Sequence, residues 1–292
     1  MTSTREEKIQ RLILGTAQFG LNYGISNKHG QITQSEINAI LNKASQASIT
    51  TLDTAAVYGD SEDRIGTSYR ETKYNFQIIS KYPPNSAKSI TECFQTSLNR
   101  LKVDRLHAYL LHSFSTYSNN PAIIAELKQL KDAGKVDKIG ISLYHPEEAL
   151  ELIDHKVKLD VVQFPYSVFD RRFEAVLPLL RQRGVETHAR SIYLQGLYFI
   201  APEQLPANFS TVSSKIASLQ QLASHNNIPL AAMLLGFALS NCNITNIVVG
   251  VESLKTLKEN IDFCGTIINE QVMQQLHLFQ EDNENIILPY NW

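Results

Sequence analysis

The sequence predicts an α/β protein with a (β/α)8 barrel, the fold also known as the TIM barrel. Short apolar runs of strand length recur eight times along the 292 residues, and segments with helical periodicity lie between them. Strands this apolar are expected where helices cover both faces of a parallel sheet, with right-handed crossovers between the strands. A barrel of roughly 250 residues accounts for nearly all of this length. We therefore expect residues 1–292 to form one domain.

The eight apolar runs have the length and composition of buried strands. They are LILGT (12–16), ITTLD (49–53), FQIISK (76–81), LHAYLLH (106–112), KIGIS (138–142), DVVQF (160–164), VETHAR (185–190) and NIVVG (246–250). Since helical segments alternate with these runs, neighbouring strands are expected to be parallel.

Three helix starts are marked by capping signals. Thr33 and Glu36 have the spacing of a capping box, in which each residue bonds to the backbone N–H of the other. Ser89 and Glu92 repeat this pattern, and Pro146 followed by two glutamates marks a third start. These signals place helices after the first, third and fifth apolar runs.

An open, doubly wound sheet is the alternative α/β fold. That fold usually has the motif Gly-x-Gly-x-x-Gly after its first strand, because the glycines let the backbone approach a pyrophosphate. Here the glycines after the first run are at positions 15, 20 and 24, which do not match the motif. The spacing weakens the alternative without excluding it.

The composition is that of a globular protein with a large core. Hydrophobic residues make up 43% and charged residues 19%, and the net charge is −2, so neither nucleic acid nor a membrane is an expected partner. The three widely spaced cysteines indicate neither a disulfide framework nor a zinc site. With a polar start, MTSTREEKIQ, these features favour a cytoplasmic location.

One uncharged stretch, residues 228–251, approaches membrane-spanning length. A polar cluster at 240–246 divides it into two pieces that are each too short to cross a bilayer. We predict a buried helix followed by a buried strand.

Polar side chains end most of the apolar runs. In a (β/α)8 barrel the carboxyl ends of the strands meet at one mouth, where active sites lie. The strand-end residues are Asp53, Lys81, His112, Ser142, Gln163 and Arg190. Tyr58 follows Asp53 by five positions and can fold back over the same opening. Any one of them can be a turn former or a cap, but the set together predicts a site.

These groups can transfer a proton to a carbonyl oxygen. A tyrosine has a pKa near 10, and we expect the charge of Lys81 to lower the pKa of Tyr58. Asp53 is the expected partner that holds Lys81 charged, and His112 can donate to the oxygen of a bound carbonyl. Because such a site supplies no electrons, a reduction requires a bound hydride donor.

The motif DTAAVYGDSEDRIG resembles that of the aldo-keto reductase family, in which an Asp and a Tyr precede YG-x-SE and a glycine. GKVDKIGIS, VVQFPYS and IVVGVESLKTLKENI follow in the family's order, so the resemblance covers nearly the whole chain. It implies a barrel that binds a nicotinamide dinucleotide and reduces an aldehyde or ketone to an alcohol, reversibly and without metal. It also implies the catalytic set Asp53, Tyr58, Lys81 and His112, with Tyr58 as general acid and base.

The resemblance further implies a set of cofactor-binding residues. They are Ser142, Gln163, Arg190, Tyr193, Gly250, Ser253, Lys255, Thr256, Glu259 and Asn260. Ser142 and Gln163 match positions that hold the nicotinamide amide, although Leu143 stands where the family usually has Asn. Lys255 could pair with a 2′-phosphate, whereas Glu252 could accept a hydrogen bond from a free 2′-hydroxyl. On the habit of the family we favour NADP(H), with NAD(H) possible.

Two other functions stay open. On the same fold the chain could be a slow or inactive regulatory protein that binds a nicotinamide nucleotide. Alternatively, Lys81 could form a Schiff base in an aldolase, which would leave Gln163 and the 246–260 segment without a role. A small-molecule carbonyl compound is the expected substrate, but the sequence does not identify it. Several aromatic residues could either line its cleft or pack in the core: Tyr23, Tyr82, Phe114, Tyr144, Tyr198 and the terminal PYNW.

Overall fold

A computed structural model describes residues 3–25, 27, 30–72 and 74–292. Within these residues eight parallel strands close into a barrel in sequential order, with β1 (Leu12–Gly15) paired to both β2 (Thr51–Asp53) and β8 (Asn246–Gly250). The predicted (β/α)8 barrel is confirmed. A doubly wound fold has an open sheet, so the closed barrel excludes that alternative.

All eight strands fall on the predicted apolar runs. The other five are β3 (Gln77–Tyr82), β4 (Leu106–Leu111), β5 (Val136–Ser142), β6 (Val161–Pro165) and β7 (Glu186–Arg190). Their ends differ from the predicted ends by at most two residues.

Helices of varied length surround and flank the barrel. In chain order they are α1 (Arg5–Gln10), α2 (Ala17–Gly20), α3 (Gln34–Gln46), α4 (Ser61–Glu71), α5 (Ile90–Leu101), α6 (Phe114–Asn119), α7 (Ile123–Asp132), α8 (Pro146–Asp154), α9 (Leu177–Gln182), α10 (Ser213–His225), α11 (Leu230–Ser240), α12 (Leu254–Phe263), α13 (Glu270–Leu276) and α14 (Glu284–Ile287).

The capping signals are confirmed in two of three places. Ser89 and Glu92 form both bonds of the capping box at α5, and Pro146 is the first residue of α8. At α3 only half of the box forms: Thr33 accepts from the N–H of Glu36, but the carboxylate of Glu36 does not return the bond. It instead accepts from a distant helix start, described below.

The core has two parts. The larger part lies between the strands and the helices. A smaller cluster, Ile13, Ile79, Ala108, Leu110 and Val161, comes from four different strands and fills the inside of the barrel. The carboxyl ends of the same strands lie directly above this apolar plug, so polar side chains there open toward the barrel mouth.

The uncharged stretch forms the predicted helix and strand, α11 and β8. No single helix among the described residues has the length and apolar character needed to span a membrane. One pair, Ala207–His225 with Leu230–Ser240, satisfies the length and composition criteria together, but it is bent by 96°. Much of α11 is buried against the rest of the protein.

Candidate active site

Asp53 and Lys81 form a buried ion pair at the ends of β2 and β3. Lys81 Nζ lies 2.6 Å from Asp53 Oδ1 and also donates to the carbonyl oxygen of Thr54 at 2.9 Å. Their side chains are only 3% and 0% exposed, so each charge depends on the other for compensation. The predicted pairing of these two residues is present in the structure.

Tyr58 lies in the loop between β2 and α4, and two glycines fix the path of this loop. A Cβ on Gly20 would come within 1.9 Å of the Tyr58 carbonyl oxygen, and a Cβ on Gly59 would come within 2.2 Å of the Gly20 carbonyl oxygen. Gly59 also has a φ of +56°, a conformation that favours glycine. The close approach of the two backbones therefore requires glycine at both positions.

The ring of Tyr58 lies between Lys81 and His112. Lys81 Nζ is 5.3 Å from the centroid of this ring, and the His112 ring meets it edge-on with centroids 5.6 Å apart. The structure thus brings together all four predicted catalytic residues, which come from three strand ends and one loop.

The acidity of Tyr58 differs from the expectation. Burial raises the pKa of Tyr58 above its usual value, and the negative charge of Asp53 adds to this effect. The opposing positive charge comes from Arg190 rather than from Lys81, whose charge is matched by Asp53. The prediction that Lys81 lowers this pKa is therefore wrong, and in this arrangement Tyr58 is a protonated phenol at neutral pH.

His112 is neutral over most of the pH range. Burial, together with the positive charges of Lys81 and Arg190, lowers its pKa to about 3. Its Nδ1 is buried without a hydrogen-bond partner. A neutral imidazole can donate one N–H bond to a ligand oxygen without adding a charge to the site.

Gln163, at the end of β6, bonds to Asp53. Its Nε2 donates to Asp53 Oδ2 at 2.8 Å, so the two carboxylate oxygens have separate partners, Lys81 and Gln163. Ser142 pairs in register with Gln163 but is buried and does not reach the cavity described next. Of this predicted pair of amide-holding residues, only Gln163 faces that cavity.

A cavity of about 430 Å³ opens above these residues. It extends from Tyr58 and His112 to Gly250, Glu252 and Thr256 at the start of α12. The residues that line it are Gly15, Thr16, Ala17, Gln18, Tyr23, Gly24, Asp53, Tyr58, His112, Tyr144, Gln163, Arg190, Ser191, Ile192, Tyr193, Gln195, Gly196, Phe199, Val248, Gly250, Glu252, Thr256, Pro289 and Tyr290. An elongated ligand could contact both ends.

The aromatic residues named from the sequence divide into two groups. Tyr23, Tyr144 and Tyr290 line the cavity. The others, Tyr82, Phe114, Tyr198 and Trp292, are absent from its wall, and Tyr198 is buried in the core.

Carboxylates surround the start of α12. Ser253 caps this helix by accepting from the N–H of Thr256 at 3.1 Å. The N–H of Leu254, the first residue of the helix, donates to Glu36 Oε1 at 2.6 Å, and Glu252 lies on the cavity wall nearby. Neither glutamate has a salt-bridge partner within the described ranges. The helix terminus, which attracts anions, is thus already supplied with protein carboxylates.

The remaining predicted cofactor residues differ in their exposure and in whether they reach the cavity. Lys255 is 83% exposed and lies 3.8 Å from Glu259, outside the cavity wall. Tyr193 lines the cavity and donates from its hydroxyl to Asn260 Oδ1 at 2.5 Å. Asn260 itself is buried, and its Nδ2 has no hydrogen-bond partner.

Sequence reasoning missed three residues of the site. Gln18 follows β1, lines the cavity, and has a buried Oε1 without a partner. Its position just past a strand end was the available signal. Glu36 was taken only as a capping residue, and nothing local indicates its bond to Leu254. Ser61 was read as part of a motif, but its hydroxyl also bonds to Thr16 Oγ1 at 3.0 Å and ties the Tyr58 loop to β1.

The cysteines and potential metal ligands give no further site. Cys93 and Cys264 are buried and Cys242 is exposed, all as free thiols. Across the described ranges, no three or more His, Cys, Asp or Glu side chains are grouped so that they could hold a metal ion.

Comparisons with known proteins show which family and which solved fold the chain is similar to. Residues 11–281 match the model of the aldo/keto reductase family. YqkF of Bacillus subtilis, an uncharacterised oxidoreductase, is 25% identical over 248 residues, covering 76% of this chain and 80% of its own. The NADH-specific methylglyoxal reductase of Escherichia coli is 26% identical over 198 residues, covering 62% of this chain and 60% of its own.

A solved structure supports the fold. The aldo-keto reductase of Bacillus halodurans in its holo form superposes with a TM-score of 0.75, covers 94% of each chain, and is 20% identical. At this identity the likeness concerns the barrel.

Proposed function

The chain belongs to the aldo/keto reductase family, a family of oxidoreductases, and we propose that it reduces an aldehyde or ketone to an alcohol with a nicotinamide dinucleotide. One observation carries the proposal: Asp53, Tyr58, Lys81 and His112 meet at one mouth of the barrel, and Tyr58 and His112 face a cavity that continues to α12. The reaction is reversible, with the alcohol oxidised in the other direction.

Tyr58 is the proposed general acid in reduction and general base in oxidation. Its raised pKa keeps the phenol protonated, so a proton is available when negative charge develops on the carbonyl oxygen. Neutral His112 donates a second hydrogen bond to that oxygen and fixes its direction. The Lys81 ammonium, held by Asp53, lies near the Tyr58 ring, whereas the charge that opposes the rise in the pKa of Tyr58 comes from Arg190.

The described residues fit a bound nicotinamide dinucleotide. Such a cofactor would supply the hydride, which the side chains of the site cannot provide. Gln163, Tyr193, Gly250 and Thr256 line the cavity and would hold it, while Ser253 caps the helix start beside them. One buried amide atom on the cavity wall, Gln18 Oε1, has no hydrogen-bond partner, which favours a polar ligand on this side of the site.

Charge at the start of α12 favours NAD(H). Glu36 already accepts from the N–H of Leu254, and Glu252 adds a second carboxylate. A 2′-phosphate placed there would meet like charge, whereas a free 2′-hydroxyl can donate to a carboxylate. The proposal thus departs from the NADP(H) preference that was expected from the habit of the family. Lys255, the candidate partner for a 2′-phosphate, is directed into solvent.

The aldolase alternative has little support. A Schiff base requires a lysine nitrogen that can reach the substrate as a free amine. Lys81 Nζ is instead bonded to Asp53 and to the Thr54 carbonyl, its side chain is 0% exposed, and Lys81 does not line the cavity.

The test is a titration of the purified protein with NADH and NADPH, followed by fluorescence, and then addition of aldehydes and ketones while cofactor absorbance is recorded. Binding with cofactor oxidation supports the reductase. Tight binding without turnover across a broad panel would favour the regulatory, nucleotide-binding alternative. No binding of either nucleotide would refute the proposed cofactor site.

A further inference from the structure

Arg190 places a guanidinium in the cavity, near the proposed catalytic residues. It ends β7 and lies on the cavity wall with Tyr58 and His112. From this shared wall, the positive charge of Arg190 lowers the pKa of both residues.

The guanidinium is fixed in position but is not neutralised. Its carbon lies 4.2 Å from the centroid of the Tyr144 ring, and Nη2 donates to the carbonyl oxygen of Leu143 at 3.1 Å. Nη1 makes one long contact, 3.5 Å, with the hydroxyl of Ser191. These contacts use two of five N–H donors, and no carboxylate of the described chain forms an ion pair with Arg190.

Arg190 is the one charged side chain near Tyr58 on the described cavity wall that no opposite charge compensates. The charged side chains on the described wall are Asp53, Arg190 and Glu252. Lys81 compensates Asp53, and Glu252 lies toward the start of α12. The part of the cavity beside Tyr58 is therefore left with the positive charge of Arg190, held against an aromatic ring.

We propose that Arg190 binds a carboxylate on the substrate, so that the preferred substrates are oxo acids, compounds with both a reducible carbonyl and a carboxylate. This inference rests on the proposed function and names the substrate class of that site. A stacked guanidinium with free donors in a fork suits a carboxylate, which accepts two parallel hydrogen bonds. Arg190 is then a specificity-determining residue, in place of the cofactor contact expected from the sequence.

The test compares acids with their own methyl esters, which differ in charge and little in shape. The pairs are succinic semialdehyde with its methyl ester and glyoxylate with methyl glyoxylate, at constant ionic strength. For at least one pair, wild-type protein should show a kcat/KM for the acid that is about 10- to 100-fold higher than for the ester. Arg190→Gln should bring this ratio close to one, mainly through KM, and Arg190→Lys should restore part of it.

Three results would contradict either the role of Arg190 or the proposed reductase activity. An acid-to-ester ratio near one in the wild-type protein, for both pairs, would overturn the inference while leaving the reductase intact. A loss of NADH affinity in Arg190→Gln that equals the loss in acid kcat/KM would overturn it too, because Arg190 would then hold the dinucleotide. Failure to oxidise NADH or NADPH with any acid or ester would instead count against the reductase itself.

A binding measurement on the wild-type protein keeps the inference testable if the variants do not fold. Calorimetric titration with butyrate and with butyramide, each in the presence of NAD⁺, compares a carboxylate with an uncharged amide of equal size. The inference requires tighter binding of butyrate, and equal binding of the two would contradict it.

Discussion

Gln163 donates a hydrogen bond of 2.8 Å from Nε2 to Oδ2 of Asp53, across 110 positions of sequence. Lys81 uses the other oxygen of the same carboxylate. Since Asp53 and Gln163 are 2% and 1% exposed, water cannot readily replace either contact. Gln163 therefore orients the carboxylate that orients Lys81, in addition to any contact with a cofactor.

Gln163→Met should destabilise the fold. The substitution keeps the length of the side chain but leaves Asp53 Oδ2 buried without its donor, which costs about 1–3 kcal/mol in the free energy of unfolding. Urea denaturation followed by circular dichroism measures the change. Gln274→Met, at an exposed position of α13, is the matched control and should change the midpoint little. Equal midpoints for the two variants would argue against the role given to this hydrogen bond.

Tyr58→Phe should remove most of the turnover. The variant retains the ring between Lys81 and His112 but lacks the acidic proton, and general acid catalysis is worth about 10²–10⁴ in rate. Stopped-flow or steady-state assays give kcat, and fluorescence titration gives the Kd of the cofactor, which should change little. Wild-type kcat in the variant would refute the proposed role of Tyr58.

Gly59→Ala should displace the loop that presents Tyr58. The added methyl would lie 2.2 Å from the Gly20 carbonyl oxygen, and φ at this position is +56°. Gly134→Ala is the control, since Gly134 has a φ of +67° but no atom within 4 Å of the new Cβ. The control should show only the cost of a left-handed conformation, about 1–2 kcal/mol, whereas Gly59→Ala should also lose turnover. Similar activity in both variants would mean that the contact with Gly20 does not hold Tyr58 in place.

The sequence predicts the strands well because each strand is a local signal, and the proposed catalytic residues were found from the ends of those strands. Most runs of apolar residues are largely buried, and most end in a polar residue, as at Asp53 and Lys81, so the barrel and its mouth follow from short segments. Contacts between distant segments are not encoded in this way. The bond from Leu254 to Glu36 crosses 218 positions, and Glu36 matches a local capping box that forms only in part.

Local sequence signals also fail to predict the direction of side chains around the cofactor site. Lys255 was a reasonable phosphate ligand by sequence, but its helix directs it into solvent, where Glu259 is its neighbour. Likewise, a strand-end arginine in a sequence gives no indication that Arg190 stacks on Tyr144 without a carboxylate partner. Side-chain direction and charge balance depend on packing that no short motif records.

Glu252→Gln should improve the binding of NADPH. Removing one carboxylate from the start of α12 reduces repulsion of a 2′-phosphate, by roughly five-fold in Kd if the charges are a few ångströms apart near solvent. The Kd of NADH should stay constant or weaken as an acceptor for the 2′-hydroxyl is lost. Fluorescence titration with both nucleotides measures the ratio. Lys255→Ala serves as the comparison: a larger shift there than in Glu252→Gln would restore the phosphate contact expected from the sequence.

The neutral state of His112 should make the folded protein less stable in acid. The pKa of His112 is about 3 in the folded protein, whereas an ordinary histidine has a pKa near 6.5. As the pH falls from about 6.5 toward 3, the unfolded chain binds a proton that the folded chain does not, so the free energy of unfolding decreases. Between about pH 7 and pH 4.5 we expect the free energy of unfolding to fall by about 2 kcal/mol, a value reduced to allow for partial solvent exposure.

The test compares urea midpoints at these two pH values. The midpoints should differ less for His112→Asn than for the wild type. His225→Asn, at the exposed end of α10, should keep the wild-type difference. The same pH dependence in all three proteins would mean that His112 is not held neutral.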